Sequence, residues 1–146
     1  MASRREMEFT YSLIDRMFRL SIGETGDFSG AKYDGDFSMT LEEAQRKKHE
    51  YVAESLKLEP GMRVLDMGCG WGALLHYLVG REAEAVGVTL SGRQAAACRR
   101  HGFGVHVMDC RTITRDTFGP FDGVASLGAF EHFCSLEDYR AGKQAA

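Results

Sequence analysis

The sequence has no pair of cysteines at C-x-x-C spacing, and its four cysteines (Cys69, Cys98, Cys110, Cys134) show no zinc-site spacing either. A structural metal site is therefore not expected. No signal peptide stands in front of them, so the expectation is reduced thiols in a cytoplasmic protein. No apolar run approaches the roughly 20 residues that span a bilayer. A charge of one sign is lacking as well: 18 Lys and Arg against 21 Asp and Glu leave a net charge of −3, which gives no electrostatic case for a nucleic-acid partner. What remains is a chain of 146 residues, 44% hydrophobic and 27% charged, enough for one globular domain with a modest core.

The most informative stretch is Val64–Ala73, VLDMGCGWGA. It reads as a buried strand ending at Asp66 that breaks into Gly68, Gly70 and Gly72 before a helix from Ala73 to Leu78. Glycines in a strand-to-helix turn let backbone approach a ligand with no Cβ in the way, and they aim the free N–H groups of the helix at it. Gly68, Gly70 and Ala73 formally satisfy a dinucleotide fingerprint. However, there is no diphosphate-binding lysine, and the next strand (Val86–Thr89) ends without the acid that usually holds a dinucleotide ribose. Asp66, two residues before the first glycine, is placed to reach a cationic amino group. A cofactor with an amino acid moiety and no phosphates, S-adenosylmethionine, fits this pattern better. A dinucleotide and a turn with no ligand are the alternatives that spacing alone leaves open.

Ahead of this stretch, Glu6–Ile22 carries apolar residues at near-helical spacing together with Arg4, Arg5, Arg16 and Arg19. It is read as a helix packed on the domain; a peripheral contact with a membrane surface is the second reading. Gly23–Ser38 is a Gly-, Asp- and Ser-rich strap or lid, with Phe28, Tyr33 and Phe37 as aromatic anchors. Thr40 and Glu43 form a capping box that starts a helix running to Leu58, with Pro60-Gly61 ending it. The division expected is residues 1–58 as N-terminal helices and strap, and 59–146 as the first half of a cofactor-binding domain.

After the glycine turn, Ala85–Leu90, Val105–Met108 and Phe121–Leu127 read as strands, with a Ser91-capped helix ending at Gly102. Strands alternating with helices predict an α/β fold with a mostly parallel sheet. Ligands in such sheets bind outside the carboxyl ends of the strands, where Asp66, Thr89, Asp109 and Gly128 fall.

Four segments in order, MTLEEAQ (Met39–Gln45), PGMRVLDMGCGWG (Pro60–Gly72), VGVTLSGRQ (Val86–Gln94) and LGAFEHF (Leu127–Phe133), carry a family likeness. The chain resembles the cyclopropane-fatty-acyl-phospholipid synthases, including the mycolic acid cyclopropane synthases and related methyltransferases, from about Tyr33 onward. The resemblance implies a class I Rossmann-like methyltransferase fold and methyl(ene) transfer from S-adenosylmethionine to an unsaturated acyl lipid. By the same resemblance, Gly68, Gly70 and Gly72 would pass under the methionine part. Thr89 and Leu90 would lie by the ribose and adenine with Gln94 nearby, and the turn Asp109, Cys110, Arg111 would flank the adenine. The family often has Trp-Glu in that turn, where this chain has Cys110-Arg111. Glu131 is the catalytic candidate, since the family is thought to hold a bicarbonate base partly with this glutamate and with a strap cysteine. An ungapped alignment puts Ala31 at that cysteine. This weakens the case for bicarbonate and favours simple methylation over ring closure. The family also continues well beyond Phe133, so a sheet cut short after its fourth strand is expected. Such a half sheet suggests a homo-oligomer or a complementing fragment, and a non-catalytic cofactor-binding fragment or a methyltransferase on another hydrophobic substrate are the alternative functions.

Overall fold

A computed structural model describes residues 26–129. The elements are α1 (Leu41–Leu56), β1 (Arg63–Met67), α2 (Ala73–Gly80), β2 (Glu84–Thr89), α3 (Gly92–Arg100), β3 (Gly104–Val107), a 3₁₀ turn (Cys110–Thr112), α4 (Arg115–Phe118) and β4 (Gly123–Ala125). The four strands are parallel in the order β3-β2-β1-β4. β1 pairs on one side with the strand that follows it and on the other with the last one. The order therefore reverses at β1, and a crevice opens at its carboxyl end.

Alternation along the strands assigns the faces. Val64, Asp66, Gly87, Val105 and Ala125 share one face by register. There Val64, Leu74, Leu78, Ala83 and Ala125 form a core with Val52 and Leu56 of α1, and Cys69, Leu75, Ala95, Cys98 and Val105 form a second one under α3. Leu65, Val86 and Val88 point to the other face, where Ile113, Phe118 and Phe121 cover them. Fully burying each such aliphatic side chain is worth about 1.5–3 kcal/mol, so these clusters, more than helix propensity, hold the layers together.

The expected strands are all present, with ends one or two residues away from the sequence reading. The short helix α4 was not anticipated. α1 starts at the expected capping box: Thr40 Oγ1 accepts from Glu43 N at 3.2 Å, and Glu43 Oε2 accepts from Thr40 N at 2.7 Å. It ends earlier than expected. Lys57 adopts a left-handed conformation (φ 51°, ψ 50°), and Leu58 N–H reaches back to Ala53 O at 2.9 Å. This bond pattern closes the helix two residues before Pro60 could. The helix expected over Glu6–Ile22, together with Glu131, lies outside the described residues.

The strap, described from Gly26, does not bury all its aromatics: Phe37 is 82% exposed and stacks on Tyr33 at 5.8 Å between centroids. Polar groups hold it as well.

Candidate functional site

The crevice is built where four strand ends meet. Gly68 N–H and Cys69 N–H both donate to Val88 O, at 2.9 and 3.0 Å, which ties the glycine turn to the end of β2. Met108 N–H donates to Thr89 O at 3.1 Å, bringing the turn after β3 alongside. Ser126 Oγ donates to Met67 O at 2.9 Å, tying β4 to β1. Asp66, Thr89, Asp109 and Gly128 are thus gathered along one rim.

The glycine turn sits deep because its neighbours are small. A Cβ on Gly87 would lie 2.8 Å from Cys69 Sγ and 2.9 Å from Leu75 Cδ1, so only glycine lets the turn and α2 pack so closely on β2. Gly68 has φ +88°, and a Cβ there would meet Ala129 Cβ at 2.4 Å. By contrast, a Cβ on Gly70 would meet nothing within 4 Å among the described residues, which leaves space over the middle of the turn. Gly72 caps α2 with no side-chain hydrogen bond, so among the described residues no cap side chain occupies the first N–H groups of that helix. Beneath the turn the Cys98 thiol donates to Gly70 O at 3.6 Å. The hydrogen bond with Cys98 and burial push the Cys69 thiol up, so it is protonated and inert.

Asp66 lies between Gly87 and Ala125 in the sheet register and is 2% exposed. Burial first, and then the nearby Asp27 charge, push its carboxyl up to about 7 against a partial offset from Lys48. A carboxylate this deep favours a cation beside it. At the end of β2, Thr89 Oγ1 donates to Gln94 Oε1 at 2.6 Å and accepts from Ser91 N–H at 3.2 Å. Leu90 follows at 38% exposure, an apolar side chain at the rim. In the turn after β3, Asp109 accepts from Arg111 N–H at 3.0 Å and forms a two-pronged ion pair with its guanidinium, with Nη2 at 2.6 Å from Oδ2. Burial raises the Cys110 thiol. The structure therefore brings Asp66, Gly68, Gly70, Gly72, Thr89, Leu90, Gln94 and the Asp109–Arg111 turn to one rim.

The sequence reading missed a buried polar cluster beside this rim. Asp27, Gln45, Lys48 and His49 are each no more than 8% exposed. Lys48 Nζ donates to Asp27 Oδ2 at 2.7 Å, to Ser29 Oγ at 2.6 Å and to Gln45 Oε1, which uses all three ammonium protons. Gln45 Nε2 donates to the carbonyls of Ser29 and Asp27, at 2.9 and 3.2 Å. His49 Nε2 stands 3.0 Å from Asp27 Oδ2. Burial would raise the Asp27 carboxyl; the contacts from His49, Lys48 and Ser29 outweigh it and hold the group well below the usual carboxylate range. A signal was available: Lys48 falls between Ala44 and Val52 at four-residue spacing, which puts a charge on the buried stripe of α1.

Among the described residues no group of His, Cys, Asp or Glu is arranged to hold a metal ion, and no helix is long and apolar enough to cross a membrane.

The rim and its glycine turn have counterparts in known proteins. The family model for mycolic acid cyclopropane synthetase matches residues 1–142. The chain belongs to that family. Cyclopropane mycolic acid synthase 3 of Mycobacterium tuberculosis is 38% identical over 128 residues, covering 84% of this chain and 44% of the relative. Cyclopropane-fatty-acyl-phospholipid synthase of Escherichia coli is 43% identical over 93 residues, covering 63% of this chain and 24% of the relative. The crystal structure of mycolic acid cyclopropane synthase CmaA1, complexed with SAH and CTAB, superposes with a TM-score of 0.77 at 34% identity, covering 97% of this chain and 50% of that one. The fold is thus the Rossmann-like methyltransferase fold, and the chain spans less than half the length of these two curated relatives.

Proposed function

We propose that this chain is the cofactor-binding half of an S-adenosylmethionine-dependent enzyme that transfers a methyl(ene) carbon to an unsaturated acyl lipid. The observation that carries the reading is Asp66, a carboxylate buried under an open glycine turn and suited to a cation. The cofactor's amino group is such a cation, and a dinucleotide offers none there. When bound, S-adenosylmethionine supplies an electrophilic methyl group on a sulfonium.

The chain's own residues bind and orient it. Asp66 faces the ammonium, and the turn of Gly68, Gly70 and Gly72, open at Gly70, receives the methionine part. The free N–H groups of α2 favour its carboxylate. Thr89 and Gln94, already paired, present oxygen and amide groups to the ribose. Leu90 and the turn Asp109–Arg111 flank the adenine. Glu131, outside the described residues, is the candidate for holding the base. A well-placed base is worth about 10²–10⁴-fold. Ala31 has no thiol to share in that task, which favours outcomes that take no proton from the new methyl group: the cation left by methyl transfer ends as a methyl-branched alkene, by loss of a proton from a neighbouring chain carbon to water, or as a methyl-branched alcohol, by addition of water and loss of its proton, with bicarbonate not required. A substrate within a bilayer calls for a cytoplasmic enzyme working at the membrane surface, and Arg4, Arg5, Arg16 and Arg19 supply basic sequence for that contact.

Calorimetric titration with S-adenosylmethionine and with NAD tests the cofactor assignment; micromolar binding of the first alone is expected, and binding of NAD would overturn it. Turnover of vesicles of cis-unsaturated phospholipid with methyl-deuterated cofactor tests the rest. A product that keeps all the label's deuterium is a methyl branch, and loss of one deuterium marks a ring or an exomethylene group.

A further inference from the structure

We propose that Lys48 is a positioning residue that latches the strap over the methionine end of the cofactor crevice, an inference that rests on the cofactor reading above. The strap crosses the crevice mouth. At one end Gly26 lies against Trp71 of the glycine turn, where an added Cβ would sit 3.4 Å from Trp71 Cβ. At the other end Ser29 lies against the segment after β4, its Cβ 3.4 Å from where a Cβ on Gly128 would be. Between these two points Asp27 and Ser29 are gripped by Lys48 and Gln45 of α1. Lys32 N–H continues the attachment, donating to Ala44 O at 3.0 Å.

The latch spans β1 and β4, whose ends enclose the side of the crevice assigned to the amino acid moiety. The adenine side, at Thr89, Leu90 and Asp109–Arg111, belongs to β2, β3 and the turns that follow them. An ammonium whose three protons bind two strap oxygens and a glutamine of its own helix has one closed arrangement; removing it frees the strap without touching the adenine side. Apparent affinity falls by the fraction of molecules left closed, so a strap closed one time in ten costs about tenfold.

The test compares S-adenosylhomocysteine with 5′-methylthioadenosine, which lacks the amino acid moiety. Binding of both to the wild type, Lys48→Met and Asp27→Asn is measured by calorimetry. Amide hydrogen exchange of the ligand-free chains is recorded alongside. Lys48→Met is expected to weaken S-adenosylhomocysteine at least tenfold and methylthioadenosine less than about twofold. Exchange should rise at the Ser29 and Lys32 amides while the β1 and β2 amides stay protected. Equal losses for both ligands, or no loss for either, would overturn the proposal while leaving the cofactor reading intact. Should Lys48→Met unfold, Asp27→Asn, which keeps the side-chain shape, decides by the same ratio. A folded wild type that binds neither ligand would refute the cofactor reading, and the latch's assignment with it.

Discussion

Replacing Asp66 with Asn should change how stability depends on pH, and the size of the change follows from its burial. The carboxyl's ordinary value of 3.8 rises to about 7 in the folded chain. The folded state therefore keeps a proton that the unfolded state has released, and the stability this contributes is lost as pH rises toward 7. About three pH units at 1.36 kcal/mol each give a total near 4 kcal/mol, of which about 2.5 kcal/mol falls between pH 5 and pH 8. Asp27 does not interfere, because its carboxyl lies below the usual range and stays ionised throughout that window. Urea unfolding of wild type and Asp66→Asn at pH 5, 6, 7 and 8 reads the effect directly. The variant should gain about 2.5 kcal/mol on the wild type across the series, with no change in m-value. Curves that run parallel would refute the account of Asp66 as a strained buried acid. S-adenosylhomocysteine adds a second arm: its ammonium favours the ionised carboxylate, so wild-type affinity should strengthen as pH rises to 7, and Asp66→Asn should lose that slope.

Other perturbations are expected to separate folding from binding. Gly68→Ala should cost at least about 1–3 kcal/mol by urea unfolding, since it combines a strained φ with a contact at 2.4 Å. Leu75→Ala, at a position with no exposure in the core under α3, should cost about 2–5 kcal/mol in the same assay. Thr89→Val breaks the hydroxyl bond to Gln94. It should weaken S-adenosylhomocysteine several-fold while moving stability by only about 1 kcal/mol.

How much was readable from the residues depended on how local each cause was. The β1–turn–α2 unit was legible because an apolar strand, an aspartate and three glycines follow one another, and each dictates the next few dihedrals. The capping box of α1 was legible for the same reason. The end of α1 was not, since Lys57 takes a left-handed conformation that its residue type does not announce. The latch was hidden by distance. Lys48 is 21 residues from Asp27; its place on the buried stripe of α1 signals a buried partner, but nothing local says that the partner is Asp27. Aromatics in the strap promised burial, yet Phe37 is 82% exposed, and hydrogen bonds from Lys48 and Gln45 hold Asp27 and Ser29.

The central position of β1 also sets an order of assembly. Its pairing with β2 joins residues 21 apart (Arg63 with Glu84), whereas its pairing with β4 joins residues 59 apart (Val64 with Gly123). Closing the longer loop costs about 1 kcal/mol more in chain entropy. The outer strands on the β2 side should therefore form first, and φ-values at Val86 should exceed those at Val124. The crevice lies on the seam that closes last. A growing chain would own a folded sheet before it owned a binding site, and the cofactor, by gripping both sides of that seam, would act as the final fastener of the fold.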